Sequence, residues 1–298
     1  HQAIRRGVEY VRQTQPQKYY GATTRLLMEE ILLTNQDRKA MEEAAEFIAD
    51  GSATGYWDYP GDVPDLSNTQ YAILGLWLAR QAEIKIPDKI FEKCMKVTIR
   101  HQLEDGGWAY FGPIDSQPGQ MDTTPRYSTA SMTTAAMATV LFCYDALSEK
   151  KSNVKKYGDE VNECMEKAYG WLDENMSYTE NVSLQNGAKG NGGWFYYYIY
   201  NVERLATVGG RETIGNRHWY NAGATELVKA QMGSGAWGEN GNASTDDTAF
   251  ALLFLNKATK NTRTGEGVKR KAKFLYAEQS DALDVDLRIA PGPGCHAF

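Results

Sequence analysis

The sequence predicts an all-α protein, an α/α toroid of about five to six outer–inner helix pairs. Three observations predict it. First, a turn recurs: "QLEDGGW" (Gln102 to Trp108) and "QMGSGAW" (Gln231 to Trp237) both read Gln, three residues, Gly, one residue, Trp, and weaker copies end at Trp57 and Trp194. Second, each turn follows a segment whose apolar residues are interrupted by charge at three- and four-residue spacing, as on a helix with one wet face. Third, each turn precedes a helical segment with almost no charged face, which should be buried nearly all round.

Taken in order, "AIRRGVEYVRQTQ" and "ATTRLLMEEILL" form the first pair. "RKAMEEAAEFIA" leads through Trp57 to "NTQYAILGLWLARQ", and "DKIFEKCMKVTIRHQ" leads through Trp108 to "STASMTTAAMATVLFCYDAL". "DEVNECMEKAYGWLDE" leads through Trp194 to "WFYYYIYNVERLATV", and "AGATELVKAQ" leads through Trp237 to "DDTAFALLFLNKA"; "GVKRKAKFLYAEQ" closes the series. "WFYYYIY" is β-rich by propensity, but its context and length favour an aromatic inner helix; other strand signals are essentially absent. Alternating wet and buried helices imply two concentric layers, with the inner-helix N-termini converging on one end of a central cavity. A linear solenoid also stacks repeats, but both helices of its unit are usually amphipathic, so it ranks second. The expected organisation is one domain over 1–280 and a C-terminal tail over 281–298.

The turn has a physical logic. A helix that ends on Gln needs a left-handed residue next, which Gly supplies without steric cost, while the Gln side chain bonds exposed backbone and the Trp covers the turn.

Composition narrows the function classes. The 298 residues are 42% hydrophobic and 23% charged, with a net charge of −6, which argues against nucleic acid or an anionic membrane as the main partner. There is no run of eighteen apolar residues, so no transmembrane segment is expected. A chain that opens at His1 permits a removed N-terminal segment. Cys94, Cys143, Cys164 and Cys295 have no CxxC spacing and read as buried free thiols. The four histidines are scattered, and Asp58, Asp62 and Asp65 resemble a calcium-type loop only loosely, so neither metal nor cofactor is expected.

The sharpest candidates are Asp246 and Asp247 in "STDDTAFALL". Adjacent acids at an inner-helix start can hold one carboxyl protonated through burial and like charge, as needed to protonate an alkene or epoxide. Tyr71, Trp77, Tyr196, Tyr197, Tyr200 and Phe250 on the inner helices would offer π-faces to a developing cation or an apolar ligand. The repeat supplies a competing account. Laying "SNTQYAILGL" over "DDTAFALLFL" puts Ser67 against Asp246 and Asn68 against Asp247, so both stretches read as helix entrances, with Ser67 and Ser244 as capping residues. Glu203 and Arg204, inside an aromatic inner helix, read as an internal ion pair.

The repeated Gln-x-x-x-Gly-x-Trp turn resembles the QW motif of the squalene cyclase and prenyltransferase superfamily. "STDDTAFALL" resembles the Asp-x-Asp-Asp-Thr-Ala motif of class II terpene cyclases, and the whole chain is similar to bacterial prenyltransferase and squalene-oxidase repeat proteins. The resemblance implies an (α/α) barrel, with Asp246 as the protonating acid and Asp247 its neighbour, and favours an exported or periplasmic location over a cytoplasmic one. It departs from the pattern in three ways: Ser244 stands where the first acid would be, the chain is about half the length of a two-barrel cyclase, and no Asp-x-Cys zinc pair exists.

Three expectations follow. One is a terpene-cyclase-like isomerase that binds or cyclises an apolar polyprenyl ligand by protonation at Asp246, in a closed cavity of several hundred cubic ångströms. The second is a non-catalytic binding or scaffold module on the same toroid, with a small-molecule or protein partner. The third is a glycan-active α/α barrel, which needs two carboxylates about 5–10 Å apart.

Overall fold

The computed structural model describes residues 2–32, 38–59, 63–110 and 127–257. The chain divides into two units, His1–Arg263 and Thr264–Phe298, and every described residue lies in the first. The expected closing helix at 267–279, the tail from 281, the boundary at 280, Cys295, Asp62 and residues 111–126 lie outside the described residues.

The chain is mostly helical. Its described helices are α1 (Gln2–Gln13), α2 (Tyr19–Leu32), α3 (Arg38–Asp50), α4 (Leu66–Gln81), α5 (Asp88–Arg100), α6 (Ala130–Leu147), α7 (Lys151–Asn175), α8 (Phe195–Gly209), α9 (Trp219–Ala230) and α10 (Thr245–Leu255). The even-numbered helices α2, α4, α6, α8 and α10 lie side by side in chain order. Odd-numbered helices pack on them: α3 on α2 and α4, α5 and α7 on α6, α9 on α8 and α10.

Burial follows the charge pattern on α4, α5 and α6, but α10, expected to be buried nearly all round, buries only Ala251 and Phe254 and leaves Leu252 47% exposed. On α5, Ile90, Phe91, Cys94, Met95, Val97 and Thr98 are buried, a one-sided stripe at helical spacing, while Lys93 and Lys96 stay wet. Each large apolar side chain in such a stripe contributes roughly 1.5–3 kcal/mol by leaving water. α4 and α6 have no wet stripe. α6 carries Asp145 as its only charged residue and is buried from Ala130 through Cys143. By length and composition this 18-residue helix could cross a membrane, yet 89% of it is buried among its neighbours.

Three turns join the layers with the same bonds. The backbone N–H of Trp57, Trp108 and Trp237 donates to the hydroxyl of Thr69 (3.0 Å), Thr133 (3.2 Å) and Thr248 (3.0 Å) respectively. Each indole N–H donates back to the preceding helix, at Ile48 O (2.7 Å), Thr98 O (2.8 Å) and Leu227 O (2.8 Å). Each Trp carbonyl accepts from the N–H of the next helix's N-cap residue: Asp65, Thr129 or Ser244. Gln102 and Gln231 donate from their side-chain amides to Gly106 O and Gly235 O. Gly106 has φ +90° and lies so close to α7 that a Cβ would sit 2.6 Å from Lys167 O.

Trp194 departs from this scheme. It is 69% exposed, holds φ +57° and makes no side-chain cap bond to α8, so it is not the buried turn tryptophan expected from "NGAKGNGGW". The preceding segment forms an antiparallel hairpin of β1 (Val182–Gln185) and β2 (Ala188–Asn191). Asn186 (φ +51°) and Gly187 (φ +77°) close it, both left-handed as a two-residue hairpin turn requires. A second hairpin, β3 (Thr213–Ile214) with β4 (Arg217–His218), turns through Gly215 (φ +57°) and Asn216 (φ +59°). The expectation that strands are absent is corrected here. The "NG" and "GN" pairs that force these turns were in the sequence, but their strands are too short to show a period of two.

Candidate functional site

Residues near the N-terminal ends of α2, α4, α6 and α8 meet in a buried polar cluster. Ser67 lies inside α4 rather than capping it, and its hydroxyl bonds both Tyr20 of α2 and, at 2.7 Å, Tyr197 of α8. The Gln70 amide donates to the same Tyr197 hydroxyl. Thr23 of α2 donates to Tyr71 O at 2.7 Å, and Asn201 of α8 donates to Ser131 O of α6 at 3.2 Å. Helices α2, α4, α6 and α8 are thus stitched by side chains near their N-terminal ends.

Arg204 completes the cluster. The side chain is 1% exposed, and its guanidinium lies 4.6 Å from the Tyr71 ring centroid and 4.5 Å from that of Tyr200. It also donates to Asn201 Oδ1. The Arg204 cation is held between two phenol faces, and the neighbouring Glu203 carboxylate accepts from Thr207 at 3.2 Å. Phe250 stacks on Tyr200 (5.9 Å, 27°) and meets Tyr197 edge-on (5.7 Å, 75°), which brings α10 against α8. Burial pushes the hydroxyls of Tyr20, Tyr71 and Tyr197 up, so they serve as neutral donors and acceptors.

Of the six expected aromatic residues, Tyr71, Tyr197, Tyr200 and Phe250 come together here. Trp77 lies elsewhere, packed on Phe142 with its indole N–H donating to Asp145 at 2.9 Å. Tyr196 projects toward the Gly238 turn, its hydroxyl 3.5 Å from Gly238 O. Sequence reasoning passed over Tyr20 and Asn201 and read Ser67, with Gln70, as part of a helix cap rather than as a contact between helices. The signal available for them was a polar residue inside an otherwise apolar helix, which needs a partner when buried.

The N-cap of α4 is Asp65, the counterpart of Ser244 on α10 and Thr129 on α6. Its carboxylate accepts from the Asn68 N–H and the Asn68 side-chain amide, both at 2.7 Å. Burial pushes the Asp65 carboxyl up to about 6 against the pull of these bonds. Asn68 Oδ1 is buried without a hydrogen-bond partner.

Asp246 and Asp247 occupy the first turn of α10, Asp246 exposed and Asp247 half-buried. Ser244 Oγ accepts from the Asp247 N–H at 3.3 Å. Burial raises the Asp247 carboxyl, and Glu239 and Asp246 raise it further. Glu239 begins the short 3-10 turn Glu239–Gly241 that precedes α10. Glu239 Oε1 in turn accepts the Phe195 N–H at 2.6 Å, capping α8 from a distance where Trp194 makes no cap bond of its own. Among the described residues, none of the hydrogen bonds of the tyrosine cluster reaches Asp246 or Asp247. His218 caps α9, accepting weakly from the Asn221 N–H at 3.4 Å.

Two surface clefts are lined by described residues. One of about 330 Å³ lies between α5 and α7, against Gln102, Glu160, Glu163, Cys164 and Lys167. The other, of about 300 Å³, opens at the start of α8 and is lined by Phe195, Tyr196, Glu180, Glu226, Glu239 and their neighbours. Among the described residues, no group of three or more His, Cys, Asp and Glu is placed to hold a metal ion.

No family model matches the chain. No curated protein matches it either. Among solved structures, the chain is similar to the apo type II terpene cyclase MstE from Scytonema, with 11% identity over 82% of this chain and 90% of that one, at a TM-score of 0.34.

Proposed function

We propose that this chain is a non-catalytic binding module built on an α/α toroid of the squalene cyclase and prenyltransferase repeat type, with α2, α4, α6, α8 and α10 as its inner wall. The observation that carries the reading is Arg204. The Tyr71 and Tyr200 faces, which a cyclase would turn toward a substrate carbocation, already hold a guanidinium of the chain itself. A fixed positive charge there raises the energy of any carbocation brought beside it. Direct bonds between α4 and α8 support the same reading, because they close the space between facing inner helices.

Incubation with squalene or geranylgeranyl diphosphate, followed by gas chromatography and mass spectrometry, tests it. Unchanged substrate is expected from the wild type and from Asp246→Asn. A cyclised product that disappears in Asp246→Asn would overturn it.

One observation favours a second reading, in which Asp246 is a proton donor with Asp247 as its neighbour. The raised Asp247 carboxyl, crowded by Asp246 and Glu239, has the like-charge coupling that acid catalysis uses. In that reading Tyr71, Tyr197, Tyr200 and Phe250 line the substrate space, and Trp77 and Tyr196 stand outside it.

A further inference from the structure

A basic face stands out on an acidic chain. On α5, Lys89, Lys93, Lys96 and Arg100 recur at helical spacing and are all exposed, with Lys85 exposed just before the helix. On α7, Lys150, Lys151, Lys155 and Lys156 crowd the first two turns and are exposed as well. Two ion pairs put the groups side by side: Lys150 with Asp88 at 2.5 Å and Lys156 with Glu92 at 3.4 Å. Each of these carboxylates is shared by a second cation, Asp88 with Arg80 and Glu92 with Lys96. Among the described residues Lys85, Lys89, Lys151 and Lys155 have no ion pair. Over residues 83–100 and 149–156, nine basic side chains stand against four carboxylates.

The lysines that open α7 oppose that helix's own dipole. Its first turn holds no acid, and its N-cap residue, Lys150, makes no side-chain cap bond. Helix stability therefore does not account for them. Val154 shares a face with Lys151 and Lys155 and is 42% exposed, which sets an apolar side chain among the charges.

We propose that this face docks the chain on an anionic lipid surface, with the lysines of α5 and α7 at the phosphates and Val154 at the headgroup boundary. Three features favour a bilayer over a soluble polyanion. Eight of the nine cations are lysines, point charges suited to a diffuse layer of charge rather than the planar fork that arginine offers a nucleic acid. Tyr157, the aromatic residue among them, is buried, with Lys96 and Lys156 over its ring at 5.7 and 4.6 Å, so it offers no face for base stacking. The groove that continues between α5 and α7 is walled by Glu104, Glu160 and Glu163, which repel an acidic peptide laid along it, whereas a bilayer meets the lysine tips. The net charge of −6 does not oppose this docking, because salt screens acids more than about 8–10 Å from the lipid. The inference is independent of whether the chain turns over a substrate.

The test is co-sedimentation of the whole chain with vesicles of phosphatidylcholine, alone or mixed with phosphatidylglycerol. Binding is expected to the anionic vesicles only, and it should fall about tenfold or more between about 0.05 and about 0.5 M NaCl. Replacing four exposed lysines together, Lys85→Gln, Lys89→Gln, Lys151→Gln and Lys155→Gln, should weaken it about a hundredfold or more. A control with the same change in net charge, Lys18→Gln, Lys189→Gln, Lys229→Gln and Lys257→Gln, should bind like the wild type. If the first variant melts early by circular dichroism, Lys151→Gln with Lys155→Gln carries the same test, with a loss of about tenfold. Val154→Ser should cost about threefold. Equal binding to both kinds of vesicle, equal losses in the two four-lysine variants, no loss in Val154→Ser, or tighter binding to soluble heparin or polyglutamate than to the anionic vesicles would each overturn the proposal.

Discussion

A carboxylate buried at a helix entrance works against folding when it is charged, and Asp65 is such a group. In the unfolded chain it ionises near 4, and in the folded chain at about 6. Its folded value is raised, so the stability it contributes is fully present below about pH 4 and is lost as pH rises through 6. The whole effect is on the order of 3 kcal/mol. Urea unfolding between pH 4 and 7 should show the wild type losing stability relative to Asp65→Asn as pH rises. The variant keeps an oxygen to accept the Asn68 N–H, and its new amide can donate to the orphaned Asn68 Oδ1. A constant difference across that range would refute the assignment. This role was not legible in the sequence, where Asp65 read as part of a loose acidic loop and Ser67 as a cap. Helix boundaries are uncertain by a residue or two from sequence, and a two-residue shift turned an inward-facing hydroxyl into an imagined cap.

At the scale of elements, the shared turn makes a graded prediction. Thr133 is fully buried, so Thr133→Val strands the Trp108 N–H and should cost roughly 1–3 kcal/mol. Thr248 is half-buried, and water can replace its bond to the Trp237 N–H, so Thr248→Val should cost less. Denaturant midpoints of the two variants measure the difference; equal costs would mean the turns are not equivalent devices at different depths. The turn itself was legible because Gln, Gly and Trp each have a distinct job at fixed spacing. Copy number was less legible. Trp194 follows a Gly-rich run as the others do, but its glycines serve a hairpin, and composition alone cannot tell a hairpin turn from a helix C-cap. Helix identities survived because apolar content and charge spacing are local, whereas the tyrosine cluster depends on which faces meet across helices far apart in sequence. Tyr197 and Ser67 are 130 residues apart.

For the described residues as a whole, the side-by-side order of the even-numbered helices means each one is finished only when the next arrives. The sequence carried the mostly helical composition through its apolar periodicity. What it could not carry was the content of the tyrosine cluster, because an arginine in an aromatic helix is compatible with an ion pair, a ligand contact or a stacked cation. The same order bears on synthesis. α6 emerges from the ribosome well before α8, its principal packing neighbour on the C-terminal side. Until then an 18-residue stretch as apolar as a membrane span stands partly uncovered. A chain stopped after residue 194 should therefore partition into detergent or pellet on centrifugation, while one that continues through α10 stays in the supernatant. The helix that holds the middle of the finished protein is, for the interval of its own translation, the segment with most need of a chaperone.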